Sequence, residues 1–334
     1  MQEHPFAQYI RPLARGKTKS RELTQEEARD AMGMILRREV EPEQIGAFLM
    51  LLRLREETAI EIAGFVEAGQ IYFEGEGQIP ADAPVVDVDW SSYAGKRKQL
   101  QWYMLAALTL VQNGFKVFMH GTDGHTAGRI YTSECVQHLG LPIAGDFAMA
   151  SQQLKDSGFS YMPLKSLCPV YHELIELKHI LGLRSPIHTV ARMMNPFKSD
   201  VVLQGIFHPT FMPKHQEAAQ LLGQKHLSVF RGEGGEIEVR PNKAFEVRTC
   251  HNGVLETENW PRIADDSRQE VDEELDLSRL EAVWRGQAVD DYADAAIRGT
   301  LAVALKTMQR ADSIDAALTM AAEMWANRDT SRFI

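Results

Sequence analysis

Cysteine is scarce in this chain. There are three in 334 residues, Cys135, Cys168 and Cys250, an odd number with no CxxC pair. Such usage argues against a disulfide scaffold or a zinc site and predicts a reducing, cytoplasmic setting. Long apolar runs are absent too. The longest, near 104–111, falls well short of the roughly 20 residues a membrane span needs. The opening Met1-Gln2-Glu3-His4-Pro5 has neither the basic nor the apolar region of a secretory signal. Positive charge is in deficit, with 36 Lys and Arg against 46 Asp and Glu and a net charge of −10.

The deficit is local. Residues 265–276 hold seven acids (Asp265, Asp266, Glu270, Asp272, Glu273, Glu274, Asp276) against Arg268, a net of −6 that leaves −4 for everything else. Residues 11–21 carry Arg11, Arg15, Lys17, Lys19 and Arg21 without one acid. An acidic protein with such a distribution can still present a polyanion-binding face. Charged residues at 25% and hydrophobic ones at 44% exclude disordered, collagen-like and coiled-coil classes. At about 150 residues per domain, the length predicts two domains.

The first seventy residues read as helices. Thr24-Gln25-Glu26-Glu27 is a capping box, followed by Ala28, Met32, Ile35 and Leu36 at helical spacing. Pro42 suits the first turn of the next helix, and 57–68 supplies a third. A Gly/Pro-bearing connection at 73–80 then separates this helical unit from alternating elements. Those are strands at 84–89 and 116–119, helices at 100–112 and 132–139, a strand at 201–207, a helix at 214–222 and a strand at 227–230. The stretch 288–325 reads as helix. Alternation with short connections implies a mostly parallel sheet with crossover helices, hence an α/β protein with a separate all-helical domain.

Ligands of open α/β sheets sit beyond the carboxyl ends of the strands. After the first strand, Asp89-Trp90-Ser91-Ser92-Tyr93-Ala94-Gly95 leads into Lys96-Arg97-Lys98, small hydroxyls, a glycine and three cations suited to cradling an anion. After the second, His120-Gly121-Thr122-Asp123-Gly124-His125-Thr126 allows close backbone approach. It offers no HxH or HxxxH metal pair and no Ser/Cys–His–Asp order, so a hydrolase is poorly supported. Residues 181–197 contain Gly182, Arg184, Arg192 and Asn195-Pro196. Glu233, Glu236 and Glu238 in a glycine-rich turn are either magnesium ligands or exposed acids of a hairpin.

Taken together, these residues resemble the anthranilate phosphoribosyltransferase family, the glycosyltransferase family 3 fold also used by thymidine phosphorylase. The likeness spans nearly the whole chain. It rests on Glu43-Gln44-Ile45-Gly46-Ala47-Phe48-Leu49, on His120-Gly121 and on the Leu-Gly-x-Arg to Asn-Pro run at 181–196. The resemblance implies the class II nucleoside phosphorylase and phosphoribosyltransferase architecture. A small helical domain at 1–75, joined in space by about 165–190, would sit beside a large α/β domain at 80–160 and 191–334. A phosphoribosyl pyrophosphate site between them and a homodimer through the helical domain are implied as well.

The departures fall on the chemistry. The family's Gly-Thr-Gly-Gly-Asp diphosphate loop corresponds to Ser91-Ser92-Tyr93-Ala94-Gly95, and its Asn-x-Ser-Thr motif to Gln101-Trp102-Tyr103-Met104. The lysine before His-Gly is Met119. The Asp-Glu pair for the second magnesium is Glu236-Ile237, one carboxylate short unless Glu238 shifts in. The arginine that meets the acceptor's carboxylate is Lys178, which keeps the charge without the bidentate fork. Such losses should cost several orders of magnitude in rate, because placement of charge is most of what diphosphate chemistry asks of a protein.

The YbiB-like branch of the fold, whose members bind nucleic acid without appreciable sequence preference, is the closer resemblance. The shared residues are Ser92-Tyr93-x-Gly95-x-Arg97-Lys98-Gln99, His188-Thr189-x-Ala191-Arg192-x-x-x-Pro196-Phe197, Cys168-Pro169 and Arg15-Gly16-Lys17. The expectation is a homodimer without a required cofactor that binds DNA or RNA and no membrane. The phosphate contacts would be Arg15, Lys17, Lys19, Lys96, Arg97, Lys98 and Arg192, with Trp102 or Tyr103 stacking a base if exposed. The alternative is a magnesium-dependent phosphoribosyltransferase acting on an aromatic or nucleobase-like acceptor. Ser91, Ser92, Gly95, Lys98, His120 and Gly121 would then hold the diphosphate, Glu233 and Glu236 the metal, and Lys178, Arg184 and Asn195 the acceptor. A third reading makes the acidic 265–276 segment a protein-docking adaptor, although a solvated face explains it as well.

Overall fold

The computed structural model describes residues 2–16, 18–75, 79–124, 126, 128–264 and 274–333. Four helices open the chain: α1 (Ala7–Ala14), α2 (Gln25–Leu36), α3 (Pro42–Arg55) and α4 (Ala59–Glu74). Two start where the sequence caps them. The Thr24 hydroxyl accepts the Glu27 amide while Glu27 reaches back to the Thr24 amide, and Thr58 and Glu61 repeat the arrangement. Gly64 of α4 lets the helix pair close, since a Cβ there would sit 2.3 Å from the Gln25 carbonyl oxygen of α2. The short helices Leu164–Leu167, Pro169–Glu176 and Lys178–Leu181 pack on this bundle. The Tyr171 hydroxyl there donates to the Phe65 carbonyl at 2.9 Å.

The seven-stranded sheet runs β3-β2-β1-β4-β5-β6-β7, with β1 (Val88–Ser92), β2 (Val117–Gly121), β3 (Phe159–Pro163), β4 (Val201–Ile206), β5 (His226–Arg231), β6 (Phe245–His251) and β7 (Val254–Trp260). The first five strands are mutually parallel, so their carboxyl ends share one edge, and β6 and β7 are antiparallel. One buried cluster joins the bundle core to one sheet face through Phe118, Val202, Leu227 and Val229. A second covers the opposite face with the helices Tyr103–Gln112, Asp291–Thr307 and Ile314–Ala326.

Two local expectations shift, and one hairpin goes beyond them. The first strand lies at Val88–Ser92 rather than 84–89, so Asp89, Trp90, Ser91 and Ser92 belong to the strand and not to a following loop. Pro84 lacks the amide a ladder needs, and β1 sits between β2 and β4 with every residue buried, which conceals its polar residues from an alternation pattern. The β6–β7 hairpin turns at Asn252-Gly253, both at positive φ, a two-residue turn that the Asn-Gly pair signals directly. The helical stretch at 288–325 is two helices, the second opened by a Ser313 cap.

Candidate functional site

The carboxyl edge of the sheet gathers most of the singled-out residues, and nearly all of those at its centre are already paired. Beyond β1 the chain turns through Gly95 at φ +65°, where a Cβ would lie 2.9 Å from the Tyr131 ring. This turn aims two amides at one side chain. The amides of Ala94 and Gly95 both donate to Glu236 Oε1 at 2.6 Å, and the Ser92 hydroxyl donates to Glu236 Oε2 at 2.8 Å. Ser92 Oγ also lies 2.5 Å from Thr132 Oγ1, which is 2.7 Å from the Tyr103 hydroxyl. Glu236 is only 1% exposed. Ser91, next to it, is buried with no partner for its hydroxyl among the described residues.

A second buried pair lies beside the first. Lys96 Nζ meets Glu238 Oε1 at 2.5 Å and donates to the Leu100 carbonyl, while Glu238 Oε2 accepts the Tyr103 amide at 3.0 Å. Burial pushes the Glu238 carboxyl up to about 6, against the pull of Lys96. The expectation that Lys96 contacts a ligand's phosphate is therefore corrected: its ammonium is enclosed and used. Glu236 and Glu233 are likewise not an open metal pair. Glu236 serves the amides, and Glu233 Oε2 accepts from Arg240 Nε at 2.7 Å. Among the described residues no group of three or more His, Cys, Asp or Glu is placed to hold a metal.

His120, at the end of β2, is buried between Asp89 Oδ1 at 3.1 Å and the Tyr93 hydroxyl at 2.7 Å, stacked on Phe118. Desolvation raises the Asp89 carboxyl above its ordinary range, with His120 pulling the other way. The triad is sealed from solvent, and its two hydrogen bonds tie the ends of β1 and β2 together. Gly121 must be glycine, because a Cβ would lie 2.1 Å from the Ser92 carbonyl oxygen. Trp102 and Tyr103 are buried and stack no base. Asn195 closes its own loop, accepting the Ser199 amide and donating to the Ser199 carbonyl, and is removed from the acceptor-side set. Lys178 lies on the short helix beside the bundle and does not line the cleft described next.

That cleft runs between the bundle and the sheet edge, lined by Arg53, Glu57, Arg184, Arg192, Phe207 and His215 among others. Arg184 donates to the Thr126 hydroxyl at 3.2 Å, Arg192 to the His188 carbonyl at 2.6 Å, and Arg129 to the carbonyls of Ala94 and Gly95 at 2.8 and 3.0 Å. All three end on neutral oxygens. Desolvation lowers the Arg184 guanidinium, helped by Arg129; it lowers Arg192 to about 10, with Arg184 and Arg129 adding to the effect and Glu236 opposing it. Arg192 is half-buried, so as a phosphate contact it serves only a group that enters the cleft. Burial, with Arg192 nearby, pushes His215 down to about 3, leaving a neutral ring 2.7 Å from Gln204.

Arg97 and Lys98, next to the enclosed Lys96, are exposed and have no hydrogen bond or ion pair among the described residues. Arg53, which the sequence reading passed over, and Arg231 share this condition at the end of α3 and of β5. Arg129 was also missed. Its signal was faint, a lone arginine in a loop whose approach to Gly95 only the fold reveals. Arg15 and Lys19 are exposed in a separate depression lined wholly by residues 8–30 of the bundle. Lys17 lies outside the described residues, as does 265–273 of the acidic segment.

Comparison with known proteins agrees with this fold. Residues 7–70 match the glycosyl transferase family, helical bundle domain. Uncharacterized protein YbiB of Escherichia coli (strain K12) is 27% identical over 244 residues, 72% of this chain and 75% of that one. Anthranilate phosphoribosyltransferase of Geobacillus kaustophilus (strain HTA426) is 26% identical over 329 residues, 95% and 92% of the two chains. Among solved structures, the Thermus thermophilus anthranilate phosphoribosyltransferase superposes with TM-score 0.76 at 19% identity, covering 97% of this chain and 95% of that one. The Saccharomyces cerevisiae enzyme in complex with PRPP (phosphoribosyl pyrophosphate) and Mg gives 0.78 at 15%, covering 99% and 96%.

Proposed function

We propose that this chain, which has an anthranilate phosphoribosyltransferase-like fold, binds nucleic acid through the rim of its sheet's carboxyl edge without strong sequence preference. The carrying observation is the contrast between Lys96, enclosed and paired, and its neighbours Arg97 and Lys98, exposed and unpaired on the same turn. With Arg129 and Arg184 ending on neutral oxygens, this edge holds positive charge that no carboxylate of the described residues neutralises. A phosphate backbone supplies the missing counter-charge, and binding would release condensed counterions and weaken with salt.

A dimer through the bundle would add a second rim and strengthen binding through effective concentration. Exposed Leu54, Ile71 and Ile180 on the bundle and the helices beside it favour such an association. The transferase reading draws on the 26% identity across 95% of the chain. It requires a diphosphate and magnesium where Glu236 and Glu238 already hold the donors, and the residues present do not fit those groups.

Titration with labelled single-stranded and duplex oligonucleotides at two salt concentrations tests the proposal. Salt-sensitive binding that weakens in R97A/K98A is expected. Absence of oligonucleotide binding at low salt would overturn it.

A further inference from the structure

The turn after β1 has the geometry of an anion site. Two successive amides, from Ala94 and Gly95, converge with the Ser92 hydroxyl, and Gly95 takes the positive φ that lets neighbouring amides point the same way. The group they converge on is a side chain of the same protein. Glu236 is delivered by the turn between β5 and β6, and its backbone is wedged between two glycines. A Cβ on Gly205 of β4 would lie 2.2 Å from the Glu236 carbonyl oxygen, and one on Gly232 only 1.6 Å. Hydrogen bonds from the Glu238 amide to the Glu236 carbonyl and from the Glu233 amide to the Glu238 carbonyl, both 2.8 Å, close the turn on itself. Two positions without a Cβ therefore set the approach of this one carboxylate.

We propose that Glu236 is a built-in ligand: its carboxylate occupies an oxyanion site of phosphate or diphosphate class, keeping that site closed to soluble anions. An anion arriving there would find all three donors taken and a negative charge in its place. The cradle persists because the carboxylate satisfies it, and a buried amide left without a partner is costly. This inference is independent of the nucleic-acid reading, since Arg97 and Lys98 take no part in the cradle.

The test uses the full chain and metal-free inorganic pyrophosphate as probe, read by calorimetry and by thermal shift. Wild type should show no saturable binding. E236A should gain it, at least about tenfold tighter than wild type, a difference of about 1.4 kcal/mol. E236Q should stay closed, because its carbonyl oxygen still accepts both amides while its amide donates to the Ser92 hydroxyl. E236A should retain oligonucleotide binding if the chain binds nucleic acid. Pyrophosphate binding by wild type as tight as by E236A, binding by E236Q equal to that of E236A, or a folded E236A that binds none, would each overturn the proposal. Should E236A fail to fold, amide exchange in wild type decides. The Ala94 and Gly95 amides are expected to exchange slowly and to be unchanged by pyrophosphate, whereas protection gained on adding it would sink the idea.

Discussion

The floor and the rim of the sheet's carboxyl edge differ by only a few residues of chain and by nearly everything else. On the floor, Ser92, Ala94, Gly95 and Lys96 meet Glu236 and Glu238, and every charge finds its opposite or a set of amides within 3.0 Å. On the rim, Arg97 and Lys98 meet no partner among the described residues, and Arg129, Arg184 and Arg192 meet only neutral oxygens. The floor shows how a fold disposes of ionised groups it cannot hydrate, since burying a charge is tolerable only with a partner and saturated hydrogen bonds. The rim shows charge kept in reach of solvent, where it exerts a field on whatever approaches. A net charge of −10 describes neither region.

The largest effect should come from breaking the floor. K96M leaves Glu238 buried without its cation and should cost about 3–5 kcal/mol in urea denaturation. The double variant K96M/E238Q should recover much of that loss, and a K96M loss below about 1 kcal/mol would mean that water reaches the floor. G232A forces a Cβ onto the Glu236 carbonyl and should cost about 1–3 kcal/mol, and an unchanged denaturation midpoint would contradict the wedge.

On the rim, R97A/K98A should leave stability near wild type, weaken oligonucleotide binding about tenfold and make the salt slope shallower by about two. If R15A/K19A reproduces that change and R97A/K98A does not, the nucleic-acid surface belongs to the bundle and the comparison is broken. The smallest effect lies on the bundle surface. Two hydrogen bonds from Arg21 hold the Glu27 carboxyl down at about 2. A folded-state value below the unfolded one gives stabilisation that is complete above the ordinary carboxylate range and is lost as pH falls toward 2. Because the pair is largely exposed, the loss should be at most about 1 kcal/mol, and E27Q should flatten the acid limb of the stability curve.

Much of the bundle was legible in the sequence. Thr24 begins its helix with the capping box the spacing encodes, and Gly182 ends one at φ +74°, because caps and periodicity are local. The parallel sheet was legible as a class, whereas its centre was misplaced. Buried on both faces, β1 carries Asp89, Ser91 and Ser92, which look like loop residues until His120 and Glu236 are placed against two of them. The sites suffered most. Lys96, Arg97 and Lys98 are chemically alike in sequence, and only burial separates the first from the other two.

Composition and spacing alone determined the α/β class, the helical unit at the start and the turns that end strands near charged residues, since each depends on neighbours a few positions apart. Tertiary structure alone decided which charges are available. Glu236 lies 141 positions from Gly95 and Glu238 lies 142 from Lys96, and no local rule relates residues so distant. Whether a charged side chain serves the fold or a ligand depends on desolvation and on the partner that meets it, and both are properties of the packed chain.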